Sequence, residues 1–277
     1  MYGQKSLFAY VSYPNFDFVR GDVQDERVMK GLVSRHDAIL PLAAIVGAPA
    51  CDRNPRLARA ANFESIVLLN RLRSASQKVV SPCTNSGYGA KSGETYCTED
   101  TPLEPISLYG VTKVQAEKEL LSRGSAISLR LATVFGPSPR MRRDLLVNDF
   151  VYRAVHDRFL VLYEPHFKRN FLHIEDVAEA FLHCLEHFPH MQGEAYNVGL
   201  DSANLSKLEL AEMIKQHVPS FYIHRAEVGS DPDKRNYIVS NAKIRSKGFA
   251  AHHTLDEGIR QLILAYRMLP SGELGNA

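Results

Sequence analysis

The chain predicts an α/β fold built on a doubly wound parallel sheet, and two observations carry that prediction. Strand-like apolar runs alternate with helical stretches over residues 15–132, the pattern of successive strand–helix–strand units. One such run, opening with Lys78-Val79-Val80, breaks into Pro82-Cys83-Thr84-Asn85-Ser86-Gly87. That places a hydroxyl residue at the carboxyl end of a strand, where open parallel sheets put their sites.

The elements follow in order. Residues 15–20 alternate apolar and polar before Gly21-Asp22 and read as a strand, with a short helix over 24–34. Residues 41–47, which include Leu42-Ala43-Ala44, read as a buried strand with small residues at its end. A long helix is expected over 54–73, with Leu57, Phe63, Ile66, Val67 and Leu69 as its apolar positions. A strand at 77–83 precedes a helix at 107–123, for which Ser107 is the N-cap and no Gly or Pro follows Gly110. A strand at 127–132 closes this half. Beyond it, Asp144 is the expected N-cap of a helix to about 155. An amphipathic helix carries Val177, Ala178, Phe181, Leu182 and Leu185 on one face. A strand at 194–199 and helices at 206–217 and 254–267 complete the chain.

Composition narrows the function. The 277 residues are 45% hydrophobic and 23% charged, an ordinary globular balance. A net charge of +2 without a long basic run argues against a nucleic-acid partner. No apolar run reaches a membrane-spanning length, and the first residues begin no signal peptide. Four cysteines without a CxxC pair suit a reduced compartment, so a cytoplasmic protein is expected.

The helix at 107–123 holds the chemistry. Tyr109 and Lys113 stand four residues apart and so share one helix face. An ammonium beside a phenol favours the phenolate and would bring it below its ordinary pKa of about 10, as proton transfer near neutral pH requires. The same spacing also arises as an inert surface pair, and Glu117 competes for Lys113. Arg140, Arg142 and Arg143 gather just before a helix start, an arrangement suited to a phosphate. His183 and His187 have metal-like spacing but no placed third ligand, so they read as helix-surface histidines and no metal is assigned.

Together, a strand ending in Thr84, the Tyr88-Gly89 that follows it and Tyr109-x-x-x-Lys113 resemble the extended short-chain dehydrogenase/reductase family. Within it the nucleotide-sugar epimerases and dehydratases are most similar. The resemblance implies that Thr84, Tyr109 and Lys113 are catalytic and that NAD is the cofactor. It implies cofactor contacts at Asp22, Val23, Leu42, Ala43 and Ala44, at Tyr109 and Lys113, and at Thr133 and Val134. Arg169-Asn170-Phe171-Leu172-His173-Ile174-Glu175-Asp176 matches a second family motif, in which the arginine meets a diphosphate and the aspartate opens a helix. Substrate contacts are implied at Asn85, Arg142, Asn148, Arg169 and Arg235. The dinucleotide-binding part would be 1–139 with about 166–189, and the substrate-binding region mainly 140–277. Family members commonly dimerise through the helices that correspond to 54–73 and 107–123.

The chain departs from the family in lacking the opening strand, the G-x-x-G-x-x-G turn and the following helix and strand, about one βαβ unit. A shortened product of a longer enzyme, a sheet closed across the gap, or a unit supplied by another chain would each account for this. The implied activity is epimerisation of a nucleotide-diphosphate sugar through a transient ketone. A 4,6-dehydratase, a net reductase or a non-catalytic sugar-nucleotide-binding protein are the alternatives. Dehydratases of the family carry an acid just after the catalytic Thr, where this chain has Asn85 and Ser86.

Overall fold

A computed structural model describes residues 5–91, 96–229 and 235–269. After a 3₁₀ turn at Lys5–Tyr10, helix α1 (Glu26–Val33) leads to the short β1 (Ala38–Ile39). Helices α2 (Ala48–Arg53) and α3 (Pro55–Arg59) follow; α3 passes through a π-helical turn, Ala60–Glu64, into α4 (Ser65–Leu72). Next come β2 (Lys78–Thr84), β3 (Tyr96–Cys97), α5 (Leu108–Ser122), β4 (Ala126–Leu131) and β5 (Thr133–Phe135). The chain continues through α6 (Leu146–Tyr152), β6 (Phe159–Leu162), β7 (Lys168–His173), α7 (Ile174–Glu186), α8 (Phe188–Met191) and β8 (Ala195–Val198). It ends with β9 (Asn204–Ser206), α9 (Lys207–His217), β10 (Tyr222–Arg225), β11 (Ile238–Val239), α10 (Ala242–Ser246) and α11 (Leu255–Met268).

The principal sheet is wholly parallel, in the order β1-β2-β4-β8. Its register sets Val79 beside Ala126, Thr84 beside Leu131 and Leu131 beside Val198. Val79, Val80, Ile127 and Leu129 are all fully buried, so adjacent residues on both sheet faces are covered. Helices on both faces of a parallel sheet require such continuous apolar strands. Pro82 is tolerated in β2 because β1 pairs only with Lys78 and Val79, leaving residue 82 a partner strand on one side alone. A second sheet, β5-β7-β9, pairs β5 with β7 in parallel and β7 with β9 antiparallel. The pairs β6–β10 and β3–β11 are also parallel.

Three large cores and a small one around Tyr88 and Tyr237 hold these layers among the described residues. Val33, Ile66, Leu69 and Leu120 pack on one face of the principal sheet. Ile127, Leu129, Phe181, Tyr196 and Val198 pack on the other, through α7. Phe135, Phe150, Phe171, Ile214 and Leu262 join α6, α9 and α11. Each such side chain contributes about 1.5–3 kcal/mol by leaving water.

Two predicted strands are absent from this architecture. Residues 15–20 form no ladder, and Phe18 and Val19 are exposed. Of the second predicted strand and its lead-in, only Ala38 and Ile39 pair; Leu42 is 62% exposed. The cause is the lack of a neighbour, since β1 is the edge of the sheet among the described residues and an extended segment is stable only when its backbone groups are paired. The Asn62 side chain takes over instead, accepting from the Ile45 amide at 2.8 Å and donating to the Ile45 carbonyl at 2.9 Å. Asn62 sits in the π-helical turn, so the helix expected over 54–73 forms with one widened turn.

The other helices match their expected positions except at α6. Asp144 does not cap it; the helix starts at Leu146 and its N-cap, Leu145, makes no side-chain bond. The Asp144 carboxylate is bound instead by Arg142, whose Nε lies 3.1 Å from Oδ1.

Candidate active site

The carboxyl end of β2 presents Thr84, and the first turn of α5 presents Tyr109. Ser107 caps α5 as expected, its hydroxyl accepting from the Gly110 amide at 3.2 Å. Thr84 ends its strand in extended conformation and turns the chain, its Oγ1 accepting from the Ser86 amide at 3.1 Å. The turn closes at Gly89, whose φ of +73° and 2.1 Å approach of a built Cβ to the Glu104 carbonyl admit no side chain. The Tyr109 phenol lies beside Thr84 and Cys83, and Lys113 lies one turn further along the same helix. The three predicted catalytic residues are therefore brought together.

Their electrostatics differ from the expectation. Burial pushes the Tyr109 phenol up to about 12, with Cys83 adding to the rise. Arg142 and Arg235 are the cations that offset the rise, while Lys113 is not among the principal influences. Lys113 is itself only 6% exposed, and burial lowers its pKa against the opposing pull of Cys83 and Glu117. Its Nζ makes no hydrogen bond among the described residues. Glu117 does not compete for it, because Arg130 takes that carboxylate with Nε and Nη2 at 2.7–3.1 Å and Ser128 Oγ donates to it at 2.7 Å. Arg130 also donates to Tyr88 Oη at 3.0 Å, and Tyr88 donates to Asn197 Oδ1 at 2.7 Å, a buried network under the Thr84 turn. Sequence inspection missed this network because its members come from four separate segments.

Asn85 is 1% exposed, and both atoms of its amide lack a partner among the described residues. A buried amide left unpaired costs about 1–3 kcal/mol, so the site holds hydrogen-bonding capacity in reserve for a ligand. Arg235 Nη1 donates to Ser86 Oγ, and Ser86 Oγ in turn accepts from Thr84 Oγ1 at 3.0 Å. Arg142 lies close enough to influence the phenol. Arg169 is buried over the Tyr237 ring, 5.7 Å from its centroid. Asn148 spends its amide on the chain: Oδ1 accepts from the Gly136 amide at 3.2 Å and Nδ2 donates to the Arg142 carbonyl at 3.0 Å. It therefore holds the loop that carries Arg142. Of the other arginines in that cluster, Arg143 stacks over Tyr152 at 4.6 Å and Arg140 is exposed. His183 and His187 stack on each other, and His183 Nε2 bonds the Lys247 carbonyl.

The cofactor positions divide into two groups. Thr133 and Val134 lie on half-buried β5 beside the sheet's carboxyl edge, near Thr84. Asp22, Val23, Leu42, Ala43 and Ala44 lie in coil; Asp22 closes an Asx turn onto the Gln24 amide at 2.9 Å, and Leu42 and Ala43 are exposed. The residues present fit the reactive end of a dinucleotide: on α5 the buried Lys113, whose Nζ has no hydrogen-bond partner among the described residues, and at the end of β2 the Thr84 hydroxyl. The sequence supplies no glycine-rich turn for its pyrophosphate.

A model of the NAD dependent epimerase/dehydratase family matches residues 4–199. The uncharacterized UDP-glucose epimerase YtcB of Bacillus subtilis is 31% identical over 198 residues, covering 68% of this chain and 60% of that protein. The dTDP-D-glucose 4,6-dehydratase of Mus musculus is 26% identical over 286 residues, covering 95% of this chain and 77% of the relative. Among solved structures, UDP-glucuronic acid 4-epimerase from Bacillus cereus, in complex with UDP-glucuronic acid and NAD, superposes with a TM-score of 0.82. It is 22% identical and covers 94% of this chain and 84% of that one, a likeness of fold.

Proposed function

Because the chain belongs to the NAD-dependent epimerase/dehydratase family, we propose that it acts as an epimerase on a nucleotide-diphosphate sugar. The observation that carries this reading is the meeting of Thr84 and Tyr109 at the carboxyl end of β2, with Lys113 one turn away and no ionisable group at residues 85 and 86. NAD, when bound, supplies a hydride acceptor that returns the hydride to the same carbon. Lys113 and Thr133 would hold its reactive end. The Tyr109 phenolate accepts the proton of the sugar hydroxyl while Thr84 donates to the reacting oxygen and keeps it in line. The free phenol sits at about 12, so it must be lowered when the site fills. Lys113, with no hydrogen-bond partner among the described residues, is the group to do this, and Arg142 and Arg235 act in the same direction. Arg142, Arg169 and Arg235 are the cations for the diphosphate.

Elimination of water is the runner-up, suggested by the mouse dehydratase relative. It needs a second proton-transfer group beside the catalytic threonine, and Asn85 and Ser86 cannot serve near pH 7. The test is replacement of Tyr109 by Phe, assayed against a panel of UDP- and dTDP-sugars with NAD. Turnover should disappear while sugar-nucleotide binding, read by calorimetry, is nearly unchanged; retained turnover would sink the assignment. A parallel NAD titration of the wild-type chain reads cofactor affinity directly. We further propose a cytoplasmic homodimer formed through the α3–α4 and α5 helices, where Leu57 and Val67 are exposed; light scattering on the purified chain checks the dimer.

A further inference from the structure

We propose that Asp176, His252 and His253, with Glu179 as a fourth group, form a zinc site where the start of α7 meets the start of α11. Asp176 is fully buried, yet one of its oxygens, Oδ1, faces three nitrogens: His253 Nδ1 at 2.9 Å, His252 Nδ1 at 3.3 Å and the His252 amide at 3.2 Å. A carboxylate oxygen has about two lone-pair sites, so two ring N–H groups and an amide crowd it. One divalent cation in place of the two ring protons relieves that crowding. Glu179 Oε2 stands 3.5 Å from His252 Nδ1 on the open side. Tetrahedral zinc with bonds of about 2.0–2.2 Å sets its ligand atoms roughly 3.3–3.5 Å apart. The two Asp176 Oδ1–imidazole separations lie within a few tenths of an ångström of that spacing, and the ligand atoms of Asp176, His252 and His253 all lie within 4.8 Å of one another; the exposed Glu179 side chain swings in to complete the set.

The surroundings are those of a metal ligand set. His253 turns its other ring nitrogen, Nε2, to Glu175 Oε2 at 3.0 Å, the carboxylate–histidine arrangement that orients a metal-bound imidazole. The His253 amide donates to Asp176 Oδ2 at 3.2 Å and fixes the carboxylate plane. His173, although stacked 4.7 Å from His253, is left out because both its nitrogens are engaged, Nδ1 by the Glu175 amide and Nε2 by Gln261. On binding, each ligating imidazole keeps its proton on Nε2 and any extra proton is released to solvent.

The experiment is a zinc titration of the tag-free full chain by calorimetry, with Co²⁺ as a spectroscopic probe of tetrahedral geometry. One saturable equivalent and strong visible Co²⁺ bands are expected. His252→Ala and His253→Gln should each weaken zinc at least tenfold, and the exposed Glu179→Gln, which leaves the fold alone, severalfold. His183→Ala on the neighbouring histidine pair should change nothing. Absence of saturable binding, or binding unaltered by His252→Ala and Glu179→Gln, overturns the site; the cluster is then an imidazole–carboxylate contact between α7 and α11 and no more.

Discussion

The Glu117 carboxylate grips Arg130 with both oxygens, at 2.7 Å and 3.1 Å, inside the layer between α5 and the sheet. The consequence lies one turn away, where Lys113 keeps its ammonium for the site. Removing one partner of a buried pair leaves an uncompensated charge. Arg130→Met should therefore cost about 3–5 kcal/mol in urea unfolding, and the double variant with Glu117→Gln should recover part of the loss.

The Tyr109 phenol stays neutral well above neutral pH in the free protein. Its folded pKa, about 12, exceeds the ordinary value of about 10, so its contribution to stability is complete below pH 10 and is lost as pH rises toward 12. Carbon-13 tyrosine spectra should show the Tyr109 ring unchanged from pH 7 to 10. Movement near pH 8 without ligand would mean that Lys113 already acts on it.

Asn62 substitutes for a missing strand partner by holding both backbone groups of Ile45. Asn62→Ala should cost about 1–3 kcal/mol, and amide exchange at residue 45 should accelerate by at least tenfold.

Asn85 carries unpaired buried capacity, so its removal should separate stability from binding. Asn85→Leu, similar in volume, should leave thermal stability unchanged or raise it by about 1 kcal/mol. The same variant should weaken sugar-nucleotide binding about tenfold or more. Equal losses in both measurements would make the residue structural.

The sequence by itself determined the parallel α/β layering, because continuous apolar strands and capped helices are local patterns: Val79-Val80 ahead of Thr84, and Ser107 ahead of α5. It also marked Thr84, Tyr109 and Lys113, whose spacing depends only on one strand end and one helix turn. Tertiary structure decided the rest. Residues 15–20 have the alternation of a strand, but pairing requires a neighbour that local pattern cannot supply. Asp144 has the chemistry of a cap, yet the Arg142 guanidinium two residues earlier binds its carboxylate and the helix starts beyond it at Leu146. The Tyr109 pKa was expected to fall and instead rises, since burial, a property of the whole packed site, outweighs charge in the free state. Residues 176 and 252–253 are brought together only by the packing of α7 against the loop before α11, which no local periodicity encodes.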